Sequence, residues 1–314
     1  VASMETSESE SAAYFDYHTE PDHYMTYKEF LENLNQKDND AAQAAGTGPP
    51  EEHLNITEYP INDLILMLSC LLTKIVEAND KLHPNHFDNT IAMRQRQKEE
   101  RRRRRAQKQK IKKDETVIDK DETFVDVDYE SDEEDEMKNK YLANVLAFHG
   151  KNVPGISLHA YLTRVLKYCP VTSDVFLSLL VYFDRIAKKA NNLRKQRKEN
   201  SNDSLIDSAN YHGSDLDTSS DLGGRNDKVS EEGSEQLFVM DSYNIHRLII
   251  LGITVSSKFF LDIFYKNLRY AKVGGLPLEE LNYLELQFLL LLDFKLMISV
   301  EDLQNYGDLL LRFW

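Results

Sequence analysis

The stretch SYNIHRLIILGITVSSKFFLDIFY, residues 242–265, constrains the fold more than any other part of the chain. Apolar residues would cover most of the circumference of a helix built on it, with the small Gly252, Ser256 and Ser257 among them. A helix apolar nearly all round must be enclosed by others, and small residues let those neighbours approach closely. One residue breaks the pattern. Lys258 lies among apolar and small neighbours, where a lysine either meets a partner or snorkels out along its stem.

Helical periodicity recurs on both sides of this stretch. In YPINDLILMLSCLLTKIVEANDKL (59–82), Ile61, Leu64, Ile65, Leu68, Leu71, Leu72, Ile75 and Val76 repeat at spacings of three and four, and Pro60 suits a helix start. ISLHAYLTRVLKYC (156–169) carries a stripe from Ile156 to Leu166, and Pro170 ends it. TSDVFLSLLVYFDRIAKKA follows, with Thr172 or Ser173 as its cap and Asp174 near the positive end. PLEELNYLELQFLLLLDF reads as a second helix buried nearly all round, and SVEDLQNYGDLLLRFW closes the chain behind a Ser299 cap. Strand signals are nearly absent. These patterns predict an all-α bundle around one enclosed helix.

The rest is polar. Residues 1–53 read as mostly disordered, although YFDYHTEPDHYMTYKEFLENL could form a short helix or docking strip. Two insertions interrupt the helical pattern of 54–314. The first, 84–140, holds 12 basic and 2 acidic residues between Arg94 and Lys113, then 13 acidic and one basic between Asp114 and Glu136. Adjacent blocks of opposite sign without apolar periodicity are expected to stay solvated. Within the first block, Arg101, Arg102, Arg103, Arg104 and Arg105 form a candidate nuclear-import signal. The second insertion, 190–236, is rich in Ser, Asn, Asp and Gly and reads as disordered.

Charge and cysteine content narrow the function. With 38 basic against 53 acidic residues the net charge is −15, which argues against nucleic acid as the main partner. Two cysteines, Cys70 and Cys169, are too few for a disulfide framework and predict a reducing, intracellular setting. No apolar run approaches a membrane span. No HExxH, CxxC or phosphate-cradling glycine loop occurs, so no catalytic residue, metal or cofactor is assigned. Gly274-Gly275 suits a turn between helices.

Charged residues inside the apolar helices are the informative ones: Asp184 and Arg185, Lys258, and Glu285 in NYLELQFLLLL. Buried charges usually pair, so one expectation is internal pairing, Asp184 with Arg164 or Lys258 with Glu285. The other is that Lys258 and Glu285 edge a groove and present their remaining hydrogen-bonding capacity to a partner. The two are compatible.

YLTRVLKY, VYFDRIAKKA, VSSKFF and YLELQFLLLLDF fall in the order and spacing of a cyclin box. YAKVGG (270–275) running into LNYLELQFL, together with ISLHAYLTRVLKYC, resembles the PHO-type (P/U) cyclins of fungi, and INDLILMLSCLLTKIVEAND resembles the helix that precedes the box there. The resemblance covers about 59–82 and 148–314. It implies a single cyclin-box bundle with a preceding N-terminal helix. By the same resemblance the chain would bind and activate a PHO-type cyclin-dependent kinase, one to one, in phosphate or storage-carbohydrate signalling. It would do so in cytoplasm and nucleus. Lys258 and Glu285 would then bond the kinase near its regulatory helix, with Phe294 packing on that helix. Asp262 would offer its arginines an acidic group in place of a phosphate. GISLHAY stands where many cell-cycle cyclins carry a Met-Arg-Ala-Ile-Leu substrate-docking stretch, so docking of that kind is not expected. The rival readings are a nucleic-acid-binding adaptor of cyclin-like fold and a scaffold whose insertions do the binding.

Overall fold

A computed structural model describes residues 25–45, 52–114, 129–207 and 237–314. The chain divides into two compact units, Val1–His53 and Leu54–Trp314. In the first, α1 (Tyr27–Ala45) starts with a reciprocal cap. The Glu29 carboxylate accepts from the Thr26 backbone N–H at 2.7 Å, and the Thr26 hydroxyl accepts from the Glu29 N–H at 3.3 Å. The sequence therefore understates order there, because the cap and a helix-compatible run outweigh low hydropathy.

The second unit holds nine helices among the described residues and no strand: α2 (Ile61–Leu82), α3 (His86–Asp114), α4 (Tyr129–Leu146), α5 (Leu158–Tyr168), α6 (Ser173–Asp207), α7 (Ile245–Phe260), α8 (Asn267–Gly274), α9 (Leu278–Leu291) and α10 (Val300–Phe313). α7 is the enclosed one, packed by α5, α6, α8 and α9, and Leu248 through Ser257 are all buried. Its small residues set the spacing. A Cβ on Gly252 would lie 2.4 Å from Leu179 Cδ2, so Leu179 of α6 reaches this close only because the side chain is missing. Three hydroxyls of α7 are satisfied: Thr254 and Ser257 donate to the Ile250 and Ile253 carbonyls, and Ser256 shares a hydrogen bond with Ser178 of α6 at 2.6 Å. Truncating Ile249, Ile250 or Leu251 to Ala would cost about 2–5 kcal/mol.

Caps follow the sequence closely at two ends. Ser157 and Ser299 accept from Ala160 N–H and Asp302 N–H and open α5 and α10. Gly275, at φ 73°, closes α8 in the left-handed region, and Leu276 N–H bonds back to the Ala271 carbonyl. α2 lies against α5, α6 and α10. Leu54 is tethered to α10: its N–H donates to Asp308 at 2.8 Å and its carbonyl accepts from Gln304 at 2.9 Å.

The first insertion departs from expectation. Rather than a wholly solvated 84–140, its two ends form α3 and α4, which pack on each other, and α4 packs on α9. Opposite charge helps to join them, with Arg101 3.6 Å from Glu136 and Arg94 Nε donating to Asn139 at 3.0 Å. The base is apolar: Met93, Tyr141, Leu142 and Val145 are buried, and Tyr141 donates to the Ile186 carbonyl at 2.9 Å. Charge blocks mask those few apolar positions in the hydropathy pattern. In the second insertion α6 runs on to Asp207; residues 115–128 and 208–236 lie outside the described ones.

Candidate functional site

The last turn of α7, the start of α8 and the middle of α9 meet at one carboxylate. Glu285 Oε1 accepts from Lys258 Nζ at 2.5 Å, and Oε2 accepts from Asn267 Nδ2 at 2.7 Å. Asn267 Nδ2 also reaches Asn282 Oδ1 at 2.7 Å. Lys258 sits where a cation suits the negative end of α7. It snorkels as well as pairs, since its side chain keeps 29% of its exposure and that of Glu285 keeps 16%. Both expectations for the pair therefore meet in one geometry. The charges neutralise each other, yet each retains accessible surface.

Around the pair the surface is apolar. α9 buries Leu281, Leu284, Phe288 and Leu291 but exposes Tyr283, Leu286 and Leu290, a second stripe at spacings of three and four. The expectation of a helix buried all round is thus corrected, because no element of this unit covers that face among the described residues. Phe259 at the end of α7, Phe264 on the α7–α8 connection and Leu268 at the start of α8 are exposed, with Ile263 of the connection at 87%. Beyond α9, Phe294 is 58% and Met297 73% exposed. Clustered exposed apolar side chains of this kind mark an interaction site. Asp262 lies exposed on the connection after α7, next to Ile263.

Phe294 is presented by strained backbone. Asp293 and Phe294 have φ of 51° and 57°, a region that side chains with a Cβ adopt at a cost. Three residues of α6 hold the segment in place. Lys189 Nζ donates to Asp293 Oδ1 at 2.6 Å, Arg185 Nη1 to the Lys295 carbonyl at 2.9 Å, and the Tyr182 hydroxyl to the Leu296 carbonyl at 2.9 Å. Burial pushes the Tyr182 phenol up to about 12, so it remains a donor at neutral pH.

The expected pairing of Asp184 with Arg164 is not formed. Asp184 accepts a short hydrogen bond from the Tyr306 hydroxyl of α10 and pairs with Lys188 at 2.6 Å, one turn along α6. Arg164 instead donates to the Lys272 carbonyl at 3.3 Å. Helix α6 turns Asp184 towards α10, whereas α5 sets Arg164 against α8. Residues 101–105 lie on α3, where Arg102 and Arg103 are exposed, Arg101 approaches Glu136 and Arg104 pairs with Glu100 at 2.8 Å.

Asn267, Lys189 and Tyr182 are the site residues that sequence reasoning missed, and Arg185 was singled out for its charge but not for the Lys295 carbonyl it serves. The spacing of 182, 185 and 189 at three and four was visible, but the carbonyls they serve were not. Asn267 carried no signal. Among the described residues no group of three His, Cys, Asp or Glu could hold a metal ion, and no helix is long and apolar enough to cross a membrane. Cys70 and Cys169 are unpaired, and burial raises the Cys169 thiol above its ordinary value.

One central helix ringed by four others, with an ion pair at the edge of an uncovered apolar face, is the architecture of a cyclin box. The chain belongs to the cyclin family, whose model matches residues 62–213 and 227–296. Among its relatives, PHO85 cyclin-6 of Saccharomyces cerevisiae is 44% identical over 278 residues, covering 83% of this chain and 58% of that protein. PHO85 cyclin-7 of the same yeast is 41% identical over 261 residues, covering 83% of this chain and 64% of its own length. The PHO85 cyclin-like protein psl1 of Schizosaccharomyces pombe is 46% identical over 169 residues, or 54% and 51% of the two chains. The chain thus spans between about half and two thirds of the length of the curated relatives it matches.

Proposed function

We propose that this chain is the regulatory subunit of a PHO-type cyclin-dependent kinase, which it binds one to one and activates while performing no chemistry itself. The observation that carries the reading is the Lys258–Glu285 pair, still accessible, at the edge of an uncovered apolar face. The names of the relatives support the choice of kinase class. Lys258 and Glu285 would bond backbone groups beside the kinase's regulatory helix. Phe294, Leu286 and Leu290 would pack on that helix. Seating it holds the kinase's Lys–Glu pair and metal-binding loop in their active arrangement, which shifts a population rather than adding a catalytic group. Asp262 would give a kinase arginine a carboxylate partner, a singly charged counterpart of a phosphate.

The service we assign is nutrient signalling, of phosphate or storage carbohydrate, in cytoplasm and nucleus, with Arg101–Arg105 as the import signal. The test is co-purification with a PHO-type kinase, followed by a kinase assay. Wild type is compared with the Lys258→Ala, Glu285→Ala double variant. An active 1:1 complex that the double variant loses is the expected result. A folded wild-type chain that captures and activates no such kinase would refute the proposal and favour a cyclin-shaped scaffold.

A further inference from the structure

We propose that Tyr141, on the second helix of the charged insertion, is a positioning residue for the turn that presents Phe294, and that it acts through Lys189. The consequence for kinase binding rests on the function proposed above. The positioning itself does not.

The turn needs support from outside. Asp293 and Phe294 follow α9 with φ of 51° and 57°, and two consecutive residues with a Cβ hold that region only where their surroundings over-determine it. Phe294 is exposed, so its own side chain supplies little of that support. Lys189 supplies much of it. Its ammonium has three N–H donors, and three acceptors face it: Asp293 Oδ1 at 2.6 Å and the Leu290 and Leu291 carbonyls, each at 3.4 Å. Those two carbonyls belong to the last turn of α9, where a cation suits the unsatisfied, negative end of the helix. One side chain thus ties the end of α9 to the turn beyond it.

A lysine side chain loses much rotamer freedom when it is pinned, so its hold depends on what confines it. Tyr141 confines it. The Tyr141 ring lies 5.3 Å from the Lys189 ammonium, within the range of a cation–π contact. Its hydroxyl donates to the Ile186 carbonyl at 2.9 Å, so the same residue grips α6 three positions before Lys189. Burial, with the Asp293 carboxylate nearby, holds the Tyr141 phenol well above its ordinary range, and it stays a neutral donor. Leu142 and Val145 are buried beside it, and α4 packs on α9. The insertion therefore ends as a wedge against α6 and α9, next to the turn that carries Phe294.

Hydrogen exchange read by mass spectrometry tests this on the full chain without any kinase. The N–H groups of Asp293, Phe294, Lys295 and Leu296 each bond a carbonyl between Leu289 and Phe294, so their exchange reports the turn. Tyr141→Leu should speed exchange at 293–296 roughly tenfold and leave 248–257 of α7 unchanged. Tyr141→Phe keeps the ring beside Lys189 and should give a smaller rise, about threefold. The Tyr141→Leu, Lys189→Met double variant should exchange no faster than Lys189→Met alone, because the tyrosine acts through the lysine. Effects that add, or a rise spread evenly over α4, α6 and α9, would make Tyr141 merely structural and overturn the proposal. So would wild-type exchange at 293–296 in both tyrosine variants. Against a PHO-type kinase, Tyr141→Leu should lower affinity about fivefold, but not in a Phe294→Ala background. An equal loss in both backgrounds overturns the proposal. A wild-type chain that binds no kinase refutes the proposed function instead, and the exchange rates then decide the role of Tyr141.

Discussion

Removing the Glu285 carboxylate separates a binding role from a structural one by magnitude. In the free protein Glu285→Ala deprives Lys258 and Asn267 of a shared acceptor. A hydrogen bond to a charged group is worth about 1.5–3 kcal/mol when desolvated. Lys258 keeps 29% of its exposure, so water takes over part of that role, and the folding cost drops to about 1 kcal/mol. That shifts the melting midpoint by only about 2–4 °C in a domain of this size class. On a kinase seated as proposed the same carboxylate would be fully desolvated, and truncating one partner of such a pair costs about 2–5 kcal/mol. The kinase affinity should therefore fall by roughly 30-fold or more. Circular dichroism melting gives the first quantity and isothermal titration calorimetry against the purified kinase the second. Lys258→Ala should behave alike, and the double variant should lose less than the sum, because each single change already breaks the pair. A large drop in melting temperature with proportionate loss of binding would make the pair structural. Unchanged affinity in both single variants would remove it from the interface.

Three further outcomes are expected. Phe294→Gly and Phe294→Ala should both weaken kinase binding in calorimetry, but the glycine variant should melt higher, by about 1 kcal/mol, since only the alanine retains a Cβ at φ 57°; equal melting would show that the backbone is not strained there. Tyr306→Phe should destabilise by about 1 kcal/mol in urea titration through loss of its bond to Asp184, whereas Arg164→Ala should stay within about 0.5 kcal/mol; the reverse order would restore the Asp184–Arg164 pairing. Burial raises Asp241 to about 6, although the Tyr243 and Asn244 N–H groups favour its charge. With the folded value above the ordinary 3.8, the stability it confers is complete below pH 3.8 and is lost as pH rises through about 6. Asp241→Asn should abolish that decline, read as urea midpoints at several pH values relative to wild type. His86, lowered to about 4 by burial with His83 and His149 nearby, acts in the opposite sense, losing stability as pH falls below 6.5. The difference between variant and wild type, not the wild-type curve, therefore isolates Asp241.

Helices α2, α5, α6, α7, α9 and α10 were legible because each carries a stripe at 3.6 residues per turn, with a serine or proline marking some of the ends. The eight-residue α8 was read only as a motif, and α7 stops at Phe260 rather than running on to Tyr265. The enclosure of α7 was legible too, since a helix without a polar face has nowhere to lie but inside, and so was the oddity of Lys258. The tertiary structure decided what depends on residues far apart. Asn267 joins Glu285 across 18 positions and Arg185 holds the Lys295 carbonyl across 110, with no sequence pattern linking them. Which face of α9 stays uncovered depends on which helices arrive to cover it, and composition alone reads that helix as buried throughout. Helices α3 and α4 were hidden for a related reason: long runs of charge mask the few apolar positions, Met93, Tyr141, Leu142 and Val145, that packing buries. Local interactions write helices into a sequence, whereas partner choice at a distance is settled by packing, and this protein's site is built from both.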